Sequence, residues 1–215
     1  MKETMTIHKA LSELKILDSR ISDKIEKSEF VTANKHSNAK IHGVSVETFC
    51  KDAKEGYQSL MTLINRRNAI KRAVTKSNAI TEVTIGGKTY TVAEAIDMKA
   101  MGCKYLTAVA ARLNNQFALA SRKADMENDE RLNDRADEYI KSLYSGSDLK
   151  NMSDEIKKVR DAFIVAQTIE VVDPVGAQET ASKLQDEADT FLSDVDSALS
   201  VSNALTTVEV EYETL

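Results

Sequence analysis

The chain is expected to be mainly α-helical, built from long antiparallel, coiled-coil-like helices with one small β-sheet. Three observations lead there. Its 215 residues include only 7 Gly and a single Pro, few of the breakers that loop-rich β folds use. Aromatic residues make up 5% and Trp is absent, so the core must come from aliphatic side chains, Met and Ala. Apolar residues recur at steps of 3 and 4 over long stretches, whereas strict alternation is confined to short runs. The same composition excludes a collagenous, proline-rich or disulfide-framework protein, and 42% hydrophobic residues is too many for a wholly disordered one.

Residues 4–29 read as the first helix, with Ile7, Ala10, Leu14, Leu17 and Ile21 on one stripe. From Phe30 to Gly43 the pattern lapses into a polar connection, long enough to be a mobile or contact loop. A second helix is expected from Ser45 to Ser77 on the seam Phe49, Ala53, Gly56, Leu60, Leu63, Arg67, Ile70 and Val74, a sustained heptad. Gly86-Gly87 between the alternating runs Thr81–Ile85 and Lys88–Val92 then predicts a two-residue hairpin, pairing Ile85 with Lys88 and Val83 with Tyr90. Thr91-Val-Ala-Glu94 is a capping box that opens the third helix, whose seam runs from Cys103 to Ala124.

The charged run Asp125–Arg135 lacks the turn glycine and closing glutamate of a calcium loop, so a solvated helical stretch or bend is expected. After Tyr144-Ser-Gly-Ser147 come a fourth helix over Ser153 to Gln167 and a short strand, Ile169–Val172, stopped by Asp173-Pro174. A fifth helix spans Ala177 to Leu199, and a strand, Val208–Tyr212, follows. Ser77–Ile85 is echoed by Ser202–Val210, which predicts one helix-to-strand exit used twice, with Asn78 and Asn203 as left-handed terminators and both strands in one sheet. In domain terms, residues 1–77 form an N-terminal helical hairpin. Residues 78–215 supply the hairpin, helices and C-terminal strand, packed with the first part as one elongated domain.

Charge is uneven. Residues 1–90 carry +6, residues 91–150 carry -1 and residues 151–215 carry -10, for a total of -5. The acidic total argues against a nucleic-acid-coating protein, and the contrast suggests attraction between the two ends, within a chain or between copies. Cys50 and Cys103 match no metal or redox spacing; both are expected as buried free thiols in a reducing, cytoplasmic setting. No secretory leader is expected after Met1-Lys2-Glu3-Thr4, and no apolar stretch is long enough for a membrane-spanning helix.

Catalytic motifs are missing: there is no nucleophile elbow, phosphate loop or dinucleotide glycine pattern. No cofactor or metal is expected. His36 and His42 share a polar loop and can bind a metal only with a carboxylate; solvated histidines are the plainer reading. The strongest polar constellation is basic: Arg66, Arg67, Lys71, Arg72 and Lys76, with Arg67 and Lys71 one helical turn apart on one ridge and Arg72 and Lys76 on another. These side chains suit an anion, a nucleotide or an acidic partner surface, or else complement the helix dipole and the protein's own acidic tail.

The long N-terminal helices, Asn78, the Gly-Gly hairpin and Thr91-Val-Ala-Glu-Ala-Ile96 resemble a group of uncharacterised helical proteins of Gram-positive bacteria and their phages. Val172-Asp-Pro174 and Val195–Ala204 are similar to the same group. The resemblance spans most of the chain and carries no catalytic residue; it implies a phage or prophage origin. The expected function is therefore a non-enzymatic, homo-oligomeric structural or assembly protein of a phage particle, in contact with itself and other assembly proteins. It would be made in the host cytoplasm and incorporated into the virion. The alternative is a phage-encoded protein that sequesters a host nucleotide signal or inhibits an immune protein.

Overall fold

The computed structural model describes residues 1–144 and 152–213, and 72% of them are helical, as the apolar periodicity predicts. In chain order the elements begin with β1 (Lys2–Thr6), α1 (Ile7–Lys27), β2 (Lys40–Ile41), β3 (Val44–Ser45) and α2 (Val46–Asn78). Next come β4 (Glu82–Ile85), β5 (Lys88–Thr91), α3 (Val92–Asp97), a π-helical turn Met98–Gly102, and α4 (Cys103–Asn128). The remainder is α5 (Glu130–Leu143), α6 (Asp154–Gln167), α7 (Ala177–Leu205) and β6 (Thr207–Glu211). The chain divides into two units, residues 1–100 with 191–215, and residues 101–190.

In the first unit, α1 and α2 pack antiparallel, with contacts running from Glu13–Arg66 to Lys24–Ser59. Their apolar stripes meet a two-stranded sheet, β1 against β6, in one core of Met5, Ile7, Ala10, Leu14, Leu17, Ala69, Ile70, Val74, Val208, Val210 and Tyr212. Each fully buried aliphatic side chain here contributes about 1.5–3 kcal/mol of transfer free energy. The expected helix start at residue 4 is thus corrected: Met5 faces Val208 across the sheet, and Thr6 caps α1 by accepting from the Lys9 amide at 3.2 Å. Thr4-Met5-Thr6 alternates as a strand does, but the partner that makes it one lies some 200 residues away.

The Gly-Gly hairpin forms in the expected register, Ile85 with Lys88 and Val83 with Tyr90. Gly86 and Gly87 take φ of 56° and 77°, the left-handed pair such a turn requires. Thr91 and Glu94 close the capping box, and Tyr90 packs edge-on against Phe191 at 5.3 Å.

The hairpin and β6 belong to different sheets, contrary to the expectation drawn from the repeat. What the two copies share is the helix exit. The Ser77 carbonyl accepts from the Thr81 amide at 2.8 Å, and the Ser202 carbonyl accepts from Thr206 at 2.9 Å. Neither asparagine is left-handed; among the described residues His42 is the only non-glycine with positive φ. His42 and Gly43 turn a small hairpin, β2 with β3, that begins within the stretch expected to be a loop and ends just past it.

In the second unit, Cys103, Ala110 and Ala124 of α4 and Leu132, Ala136 and Ile140 of α5 supply buried side chains. The charged run breaks between these helices at Asp129, giving the expected bend. Helices α5 and α6 join through Tyr139 stacked on Phe163 at 4.6 Å and Arg160 bonded to Asp137 at 2.7 Å. Ile169–Val172 is not a strand. Instead the Asn128 side chain accepts from the Ile169 amide at 2.8 Å and donates to its carbonyl at 2.6 Å, taking the place of a pairing backbone. Ser145–Ser147 of the expected break lie outside the described residues.

Cys103 is buried as expected, and its thiol pKa is raised by burial and by Glu187 nearby. Cys50 is exposed, not buried. It follows seam residue Phe49 directly, which turns it about 100° off the apolar stripe. No described helix is long and apolar enough to cross a membrane.

Candidate functional site

The sequence-level candidates all lie on the C-terminal half of α2, and the structure separates them. Arg66 turns inward. Its Nε donates to Glu13 Oε1 on α1 at 2.5 Å, its Nη2 lies 2.7 Å from Glu3 Oε1 on β1, and its Nη1 donates to the Tyr212 hydroxyl just after β6. The guanidinium also sits over the Tyr212 ring, 5.0 Å from its centroid. Glu3 Oε1 is buried and makes no hydrogen bond of good angle, so the pair with Arg66 is chiefly electrostatic. The Glu13 hydrogen bond, against the pull of burial, raises the Arg66 pKa further, with Tyr212 and Glu3 adding to it. One arginine thereby ties the first strand, both long helices and the last strand together.

Arg67 donates to Asp18 Oδ1 on α1 at 2.9 Å. Lys71, Arg72 and Lys76 stay exposed. Arg72 lines a cleft of about 470 Å³ with Met1, Asn65, Asn68, Glu211, Tyr212 and Glu213. Two carboxylates in that cleft, Glu211 and Glu213, oppose a phosphate or nucleotide beside Arg72. Sequence reasoning singled out Arg66 but missed its partners Glu3 and Glu13, which carry no local signal.

The charge contrast along the chain is offset in part within the first unit. That unit holds 17 Lys/Arg and 17 Asp/Glu, because residues 191–215 bring half of the acidic segment's charge to the basic helices, while the second unit holds 12 Lys/Arg and 17 Asp/Glu. Lys2 bonds Glu209 at 2.8 Å, and Lys99 bonds Asp196. His42 meets Glu29 at 3.4 Å on the surface, and no group of three metal-capable side chains occurs among the described residues.

The second unit offers a different kind of feature, an apolar groove of about 590 Å³ between α4 and the segment preceding α7. Among the described residues it is lined mostly by aliphatic and aromatic side chains, with Arg112, Gln116 and Asp173 as its polar members. Asp173 Oδ2 caps α7, accepting from the Ala177 amide at 2.7 Å. No protein-family model, curated protein or solved structure matches the chain.

Proposed function

We propose that this chain is a non-enzymatic structural or assembly protein that works by binding copies of itself through apolar helical surfaces. The observation that carries this reading is the area left uncovered. The chain exposes 14786 Å², whereas two wholly separate compact domains sharing its mass would expose roughly 12,000 Å² by surface scaling. The surplus includes large apolar side chains in both units: Ile16 and Ile25 in the first, and Tyr105, Val109, Leu119 and Val172 in the second.

The basic residues support the same reading by what they already hold. Arg66 and Arg67 are engaged with the chain's own carboxylates, so these two are not offered to a partner. The setting we propose is a phage particle, on the strength of the sequence resemblance. Native mass spectrometry over a concentration series tests the function: the expected species are multiples of 23.8 kDa. A monomer throughout, together with a thermal shift on adding nucleotides, would favour the sequestering alternative.

A further inference from the structure

Ile169–Val172 has the composition of a strand, yet the fold gives it no strand to pair with. Residues 168–173 carry neither helix, turn nor bend, and none has a positive φ, so the stretch is extended. At Ile169 the Asn128 side chain accepts from the amide and donates to the carbonyl, the exchange a neighbouring strand would make. Main-chain groups of alternate residues lie on the same edge of an extended chain, so the N–H and C=O of Val171 share the Ile169 edge. Among the described residues nothing pairs with them. Val171, Val172 and Asp173 line the α4 groove in succession. Because side chains alternate along an extended segment, such a run borders the groove partly through its main chain.

On α4, Leu113, Phe117 and Ala120 give the groove an apolar lining, and Arg112 has no ion-pair or hydrogen-bond partner among the described residues. Asp173 does not pair with it; its Oδ2 accepts from the Ala177 amide at the N-terminal end of α7, whose dipole offsets the carboxylate. We infer that this groove takes an extended aliphatic peptide strand from a partner protein, paired with the main chain of Val171 and bearing an acidic group for Arg112. Unpaired main chain calls for another main chain, an apolar lining for alternate aliphatic side chains, and a lone guanidinium for a carboxylate. The volume of about 590 Å³ falls in the range of about 300–1,000 Å³ usual for ligand sites. A fatty acid would satisfy the lining and Arg112 but leave the Val171 amide and carbonyl unpaired. The inference goes beyond self-association and does not require it.

The test titrates the full chain, by fluorescence polarisation, with acetylated hexapeptide amides that alternate Val and Thr and carry Glu at one end or the other. Exchanging that Glu for Lys should weaken binding about fivefold, and Arg112→Gln should erase the preference. N-methylating every second peptide amide should weaken binding about tenfold on the pairing edge and have little effect on the opposite edge. Amide exchange locates the contact: the peptide should protect the Val171 amide, and laurate should not. No binding of any peptide at about 1 mM, or an unprotected Val171 amide in the bound state, overturns the inference. So does binding that ignores N-methylation on both edges and is matched by laurate, which would make the groove a site for amphiphiles. Light scattering on the same samples reads self-association separately, so each proposal fails or stands alone.

Discussion

Arg66 and Tyr212 are 146 residues apart in sequence, yet the guanidinium lies 5.0 Å from the ring centroid and donates to the phenol oxygen. That contact, with Glu3 and Glu13 on the other side, makes both ends of the chain part of one core. Arg66→Met keeps the apolar stem and removes the charge, so it should cost about 1–3 kcal/mol, mainly by leaving two partly buried carboxylates unpaired. Tyr212→Phe keeps the ring and should cost about 0.5–1.5 kcal/mol. Urea midpoints at fixed slope measure both; equal stability of Arg66→Met and the parent would show that the cluster is ornamental.

Because β1 and β6 pair only with each other among the described residues, removing either should have the same consequence. Truncation at Thr206 takes Val208, Val210 and Tyr212 from the core, on the order of 4–8 kcal/mol of transfer free energy before offsets. Truncation of residues 1–5 should produce a comparable fall in melting temperature through loss of Met5 and the sheet. A large effect at one end alone would contradict the pairing.

These two relationships mark where sequence reading stops. Helix periodicity, the Gly86-Gly87 turn and the Thr91–Glu94 box are set by neighbours within a few residues, and each appears as expected. Strand β1, the partners of Arg66 and the Asn128 bracket on Ile169 depend on residues 41 to more than 200 positions away. Nothing local in Thr4-Met5-Thr6 distinguishes a strand from the first turn of the amphipathic helix that follows. The apolar groove was equally hidden: Leu113 and Phe117 read as core seam residues, and only the fold shows that their cover is incomplete.

The two cysteines should differ in reactivity. Cys50 is exposed on α2, whereas Cys103 is 2% exposed with its thiol pKa pushed up. A maleimide reagent should label one thiol per native chain and two after denaturation. Rapid native labelling of both would contradict the burial of Cys103.

The start of α3 should be acid-sensitive. Glu94 accepts from the Thr91 amide at 2.7 Å and from its hydroxyl at 2.9 Å, which holds its pKa below the ordinary carboxylate value. A depressed pKa in the folded state means that the contact stabilises above the ordinary carboxylate range and is lost as pH falls through the depressed value. Glu94→Gln should therefore flatten part of the acid limb of the stability profile, and an unchanged limb would show that the box contributes nothing through charge.

If self-association is driven by apolar surface, as proposed, it does not depend on charge pairing between copies; Lys2–Glu209 and Lys99–Asp196 pair within the first unit. Light scattering across a salt series tests it most directly. At high salt, exposed charges are screened beyond about 3 Å while apolar burial persists. The oligomer's mass should hold or grow as salt rises. Dissociation into monomers of 23.8 kDa at high salt, or monomers in all conditions, would contradict it.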